Sequence, residues 1–317
     1  MAGPIERPAN LIPQFSNPRK VDSGQFASGG ILILIGLVRK VAIADAIAPH
    51  VDRIFSNPGD QSGLVLLLGV ALFGLQIYSD FAGYTDIARG TARLLGFELM
   101  VNFRHPYFAR NIADFWRRWH ISLSTWLRDY LYITLGGNRG SRVQTYRNLM
   151  LTMLLGGLWH GAAWTFVIWG GIHGVALAVH RWFSRDRVKA ATAGRHRQSD
   201  LEKRPSILGL APWGATMAVV FLSWAFFRAD GLGSAWAVIE GIFRFDNWAA
   251  GSLDTVVIFG VALLIMLIID VPQYLADRHE VLLEAPWLVR GLSYVSLVML
   301  IVLRNPSVET PFIYFQF

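Results

Sequence analysis

Residues 148–180 read NLMLTMLLGGLWHGAAWTFVIWGGIHGVALAVH, a stretch without one Asp, Glu, Lys or Arg. Residues 61–79 and 205–227 are equally free of charge. About 20 such residues in a helix cross the ~30 Å hydrocarbon layer of a bilayer. The whole chain of 317 residues is 53% hydrophobic and 16% charged, with a mean hydropathy of +0.39. Soluble domains lie nearer 45–50% apolar and about 25% charged. These patterns predict an all-α, polytopic membrane protein and exclude an ordinary soluble enzyme.

Composition closes off other classes. With no cysteine, the chain has no disulfide framework, no cysteine nucleophile and no thiolate metal site. The excess of 29 basic over 22 acidic residues is what cytoplasmic loops of membrane proteins carry, so nucleic acid is not an expected partner.

Outward from the central run, residues 1–22 hold Pro4, Pro8, Pro13 and Pro18 and no apolar stretch, which predicts an extended surface segment and no signal peptide. Candidate membrane segments follow at 24–48, interrupted by Arg39 and Lys40, at 61–79, within 148–180, and at 208–228, 253–271 and 286–304. Residues 181–205 form a polar stretch with eight Lys/Arg, from Arg181 to Arg204, against Asp186, Asp200 and Glu202. The positive-inside bias places it in the cytoplasm. The expected division is therefore 1–22, a helical core at 23–180, a basic cytoplasmic loop at 181–205 and C-terminal transmembrane helices at 206–317.

The flank at 97–147 is also rich in Arg. If both flanks are cytoplasmic, 148–180 enters the membrane and returns on one side. Residues 148–160 make roughly 20 Å of helix and 164–180 roughly 26 Å, each short of a crossing. A re-entrant helix hairpin results, turning at Trp159-His160-Gly161-Ala162-Ala163-Trp164 and holding His160 at membrane depth. Irregular backbone there needs protein or a watery cavity around it.

Between Asp114 and Ile133, Trp116, Trp119, Leu123, Trp126 and Tyr130 recur at spacings of 3, 4, 3 and 4, a single helical stripe. His120 falls at the border of that stripe and the polar face of Arg117, Ser124, Thr125 and Arg128. An interfacial Trp belt and the wall of a wet funnel both fit this pattern.

Few motifs carry chemistry. HExxH, G-x-S-x-G and the phosphate-binding G-x-x-x-x-G-K-[ST] are missing, and Gly136-Gly137-Asn138-Arg139-Gly140 reads as a plain turn. No metal site is expected, since His160 and His173 lack a ligand spacing. What remains is ionisable chemistry in apolar surroundings: His160, His120, Asp80 and Asp86. Such groups are expensive in a membrane and mark function by default. Histidine titrates near neutrality and burial preserves its neutral, basic form. A core histidine bonded to a backbone carbonyl explains His160 equally well. For Asp80 and Asp86, with Gly83 between them, the expected role is to cap a helix break.

The strings FWRRWHISLSTWLRDY at 115–130, LGGNR at 135–139, YRN at 146–148, GGLWHGAAW at 156–164 and FIYFQF at 312–317 resemble the membrane-bound O-acyltransferases, most closely their bacterial alginate O-acetylation branch. The resemblance covers nearly the whole chain. It implies an O-acyltransferase (O-acetyltransferase) with His160 as the essential catalytic histidine and His120 as the second of the pair. His173 is a weaker candidate, more suited to packing. No catalytic role falls to Asp80, Asp86 or Asn148.

The same resemblance implies acetyl transfer from a cytoplasmic thioester such as acetyl-CoA, with no bound cofactor, to hydroxyls of an extracytoplasmic polysaccharide such as alginate. The expected setting is the bacterial inner membrane, crossed several times, in contact with lipid. A periplasmic polysaccharide-modifying acetyltransferase is an expected partner, and Arg117, Arg118 and Arg128 fit steering of the donor's phosphates and solvated contacts with lipid headgroups equally well. The alternatives are a conduit that passes acetyl groups to that partner and an inactive truncated scaffold. Residues 2–8 look like an internal motif of the family, so the chain is expected to start inside the usual protein, without its first membrane helices.

Overall fold

The computed structural model describes residues 3–193, 210–245, 248–304 and 312–313, and every regular element among them is helical. The chain divides into two compact units, residues 1–104 with 236–317, and residues 105–235. Among the described residues four helices are long and apolar enough to cross a membrane: α4 (Gly63–Leu94), α9 (Leu210–Arg228), α11 (Leu253–Ala276) and α12 (Trp287–Arg304). They coincide with the segments expected at 61–79, 208–228, 253–271 and 286–304.

In the first unit α1 (Pro8–Ser16) precedes α2 (Ser23–Leu37), a π-helical stretch Val38–Asp45 and α3 (Ala46–Ser56). The amino-terminal segment is thus not extended throughout. Proline is tolerated at the first helical position, which Pro8 occupies. Contacts distant in sequence hold the short helix: Gln14 donates to the Glu98 carbonyl at 2.9 Å and accepts from the Glu98 amide at 2.7 Å, and Phe15 packs on Phe97. A capping box between Asp22 and Gln25 starts α2.

Arg39 and Lys40 do not interrupt this helical path; they are buried into it by carboxylates from elsewhere. Arg39, 2% exposed, donates to Asp270 at 2.6 Å and Gln273 at 3.1 Å and lies 3.5 Å from Asp86. Tyr78 donates to the other Asp270 oxygen at 2.7 Å. Lys40 pairs with Asp45 at 2.8 Å and Asp80 at 2.9 Å, and Asp80 also accepts the Ile313 amide at 2.6 Å. The predicted break at Gly83 is absent, since α4 runs unbroken past it. Asp80 and Asp86 are paired with cations instead of capping helix ends. Removing two charges from water is expensive, and a pair survives burial only with such dense hydrogen bonding.

Glycine has a different use here. A Cβ on Gly83 would lie 2.7 Å from the Gly36 carbonyl oxygen, and one on Gly90 2.6 Å from that of Gly29. The pairs 29/90 and 36/83 place α2 and α4 antiparallel, backbone against backbone. Small residues permit this approach where lipid supplies no hydrophobic drive between helices.

The second unit contains α5 (Ile112–Arg118), α6 (Ile121–Leu127), α7 (Arg142–His160), α8 (Trp164–Ala193) and α9, with α10 (Leu232–Ile242) beginning at its end. A Ser141–Gln144 capping box starts α7. The Gly136–Gly140 turn is present, with positive φ at Gly136 and Gly137, and Asn148 donates to the Gly137 carbonyl at 3.3 Å. Helix α9 packs on α8 within the second unit, and α11 packs on α4 within the first. Helix α8 does not end at 180. Charged residues mark where a helix leaves the hydrocarbon, but they do not break it, so the first part of the expected basic loop is helical and 194–209 lie outside the described residues.

Candidate active site

Helices α7 and α8 are antiparallel and joined by Gly161-Ala162-Ala163, the break predicted from sequence. Their crossing is glycine on glycine: a Cβ on Gly157 would overlap the Phe166 carbonyl oxygen and one on Gly170 that of Met153. This contact places the end of α7, and with it His160, against the first turns of α8. At Gly161 a Cβ would come within 2.6 Å of the Phe166 ring, so the turn has no room for a larger residue.

His160, 9% exposed, stands in an aromatic cage. Ring centroids lie at 5.1 Å for Trp159, 5.3 Å for Trp169 and 5.0 Å for Phe227, all nearly perpendicular to the imidazole. Phe166 is 6.3 Å away. Edge-to-face contact suits the quadrupoles of such rings and fixes the imidazole plane.

His120 sits elsewhere than expected on its helix. The predicted single helix over 114–133 is broken between α5 and α6, and His120 occupies the break with φ 41° and ψ 56°. A non-glycine residue in this left-handed region carries about 1–2 kcal/mol of strain, and such strain gathers at functional sites. The aromatic stripe divides accordingly: Trp119 and Leu123 are buried, Trp126 and Tyr130 exposed. The turn brings His120, 1% exposed, to the ring of Trp159 at 6.0 Å. His120 and His160 therefore flank the same indole.

His173 is wholly buried behind this pair. Its Nε2 lies 3.0 Å from Ser223 Oγ, and that hydroxyl donates its proton to the Val220 carbonyl at 2.7 Å. The serine oxygen must accept, so His173 carries its proton on Nε2. The ring stacks on Phe115 at 6.0 Å and touches Trp169 at 4.8 Å, which makes it part of the wall. Asp80 and Asp86 belong to the first unit's ion pairs, while Asn148 braces the turn before α7. Arg117 and Arg118 both pair with Asp114, and Arg128 pairs with the adjacent Asp129 at 2.7 Å.

Sequence reasoning missed Trp159, Trp169 and Phe227 as site residues. Trp159 and Trp169 flank the turn in the chain and could have been suspected. Phe227, at the far end of α9, has no local signal, since its place in the cage comes from the packing of α9 on α8. Among the described residues no group of three or more His, Asp or Glu could hold a metal ion.

The site can be compared with known proteins. A model of the membrane-bound O-acyltransferase family matches residues 1–204. The chain is 44% identical over 254 residues to the probable alginate O-acetylase AlgI of Azotobacter vinelandii, covering 80% of this chain and 47% of that one. It is 45% identical over 254 residues to the corresponding protein of Pseudomonas aeruginosa, covering 80% and 45%. To the peptidoglycan O-acetyltransferase of Helicobacter pylori it is 43% identical over 244 residues, covering 76% and 44%. The chain thus spans about half the length of the curated relatives it matches. With a family match over the greater part of its length and identities above 40%, this chain belongs to the membrane-bound O-acyltransferase family.

Proposed function

We propose that the chain carries the catalytic part of a multi-pass O-acetyltransferase of the bacterial inner membrane, moving acetyl from acetyl-CoA to hydroxyls of an extracytoplasmic polysaccharide. The observation that carries this reading is the meeting of His160 and His120 on Trp159, one at a helix break and the other on a strained turn. Two relatives are named for O-acetylation of alginate and one for that of peptidoglycan, which supports acetyl as the group and a polysaccharide as the acceptor class.

In this reading His160 takes the proton of the accepting hydroxyl as its oxygen bonds to the thioester carbonyl carbon. The C–S bond breaks and the proton passes to the departing thiolate. Help of this kind contributes about 10²–10⁴ in rate. His120 positions the thioester or steadies the charge that develops on its oxygen. From Arg147 to His160 the apolar part of α7 is only about 20 Å long, so with its basic end at the headgroups the α7–α8 pair is re-entrant and its turn stops within the bilayer. A periplasmic acetyltransferase is the partner proposed to work beside it.

The test is polysaccharide acetylation by the full-length, membrane-inserted protein carrying His160→Ala. Acetylation should fall at least a hundredfold, and wild-type levels would remove His160 from the mechanism. Release of CoA from labelled acetyl-CoA by purified protein separates a catalyst from a conduit, which would release none.

A further inference from the structure

A groove of about 900 Å³ runs along α8 on the side away from the histidine cage. Trp164, Ile168, Gly171 and Val175 line its floor, at the 4, 3, 4 spacing of one helical face. At about 100° per residue this face is opposite the one that turns Phe166, Trp169 and His173 toward His160. Leu154 of α7 and Ala215 and Val219 of α9 form its walls.

The groove is polar at one end only. Arg110, Asn111, Thr216 and His180 are its polar lining, with His180 at the end of the α8 face opposite Trp164, and no acidic residue lines it among the described residues. The surface just beyond carries Trp182 and Phe183, each 67% exposed and stacked at 6.3 Å. Exposed aromatic side chains of this kind mark the headgroup level of a bilayer. Arg181, the first residue of the basic stretch in the sequence, directly follows His180 at this end, and the positive-inside bias makes the leaflet the cytoplasmic, anionic one. From Trp164 to His180 the groove extends about 24 Å along the helix. That exceeds the ~15 Å depth of one leaflet's hydrocarbon, so a whole lipid tail is accommodated.

We propose that this groove binds an anionic glycerophospholipid, with one acyl chain along α8 and the phosphate between Arg110 and His180. An apolar protein segment would gain nothing from a guanidinium and polar side chains at one end, whereas a phosphate does. Basic pockets between membrane helices on the cytoplasmic side recognise anionic headgroups in this way. The site lies apart from the proposed acetyl transfer and stands whether or not that reading holds.

Full-length protein in neutral detergent is exchanged with dioleoyl-phosphatidylglycerol or dioleoyl-phosphatidylcholine, and the retained lipid is counted by native mass spectrometry. Phosphatidylglycerol should be preferred. Arg110→Gln should lower the preference about fivefold, the worth of one basic residue beside an anionic surface, while Arg110→Lys keeps it. Ala176→Trp should fill the groove and release the bound lipid. Equal retention of the two lipids, or a preference indifferent to Arg110→Gln, overturns the proposal. So does stronger retention of a polyprenyl phosphate, or capture of a protein segment instead of lipid by a photoreactive residue at position 175.

Discussion

Gly157 and Gly170 touch where α7 and α8 cross, a Cβ on the first lying only 3.5 Å from the Cα of the second. The same Cβ would overlap the Phe166 carbonyl oxygen, which is backbone and cannot rotate away.

This contact decides the sign of a substitution. In an open helix Gly→Ala is stabilising by about 0.5–1 kcal/mol. At Gly157 overpacking against backbone, about 1–3 kcal/mol, outweighs that gain. Gly157→Ala should lower the unfolding temperature in detergent and, because His160 lies three residues on, reduce acetyl transfer. A more stable variant would show that the two helices can separate freely.

The strain at His120 predicts a difference between two variants that both lack the imidazole. Asn tolerates the left-handed region and Ala does not. His120→Asn should be about 1 kcal/mol more stable than His120→Ala by thermal unfolding, while acetyl transfer falls in both. Equal stability would mean the turn relaxes without its histidine.

Arg39 and Asp270 form a buried pair, each side chain 2% exposed. Deleting Asp270 leaves the buried Arg39 only its more distant carboxylate, Asp86 at 3.5 Å, and breaking a buried pair in this way costs up to about 3–5 kcal/mol. Asp270→Leu should be severely destabilised, and Arg39→Met with Asp270→Leu should recover part of the loss. Asp86 then loses one of its cations but keeps Arg89 at 3.3 Å, so recovery is incomplete. A double variant no better than Asp270→Leu alone would place the loss elsewhere than in the arginine deprived of its nearest carboxylate.

Glu280, in the connection between α11 and α12, pairs with Arg93, which also binds Ser28 at 2.5 Å and Glu98 at 3.0 Å. Burial raises the Glu280 pKa, but the Arg93 guanidinium prevails and holds it below the ordinary 4.5. A carboxylate with a lowered folded-state pKa adds stability that is complete above its unfolded value and is lost as pH falls through the folded one. Wild type should exceed Glu280→Gln by about 1 kcal/mol at neutral pH. The two should converge as pH drops below 4.5, and an undiminished gap in thermal unfolding at about pH 3 would rule the pair out as the source.

Some of this was open to local reading. The turn between α7 and α8 was legible because Gly161 follows an uncharged run too short to cross. The catalytic role proposed for His160 came from a recognisable string of residues around it. The helix break at His120 was not legible: Trp116, Trp119, Leu123, Trp126 and Tyr130 keep perfect helical spacing across a backbone that leaves the helix. Periodicity records which side chains favour one face, but a single left-handed residue leaves that count unchanged.

Membrane segments could be read from the chain alone because a bilayer imposes a length, and length with absence of charge is a property of consecutive residues. The fate of the charges inside them could not. Asp80 and Asp86 looked like caps because their partners, Lys40, Arg39 and the Ile313 amide, are remote along the chain, and Phe227 joined the cage by the packing of one helix on another. Burial energies depend on which groups meet in space, and only folding brings those groups together.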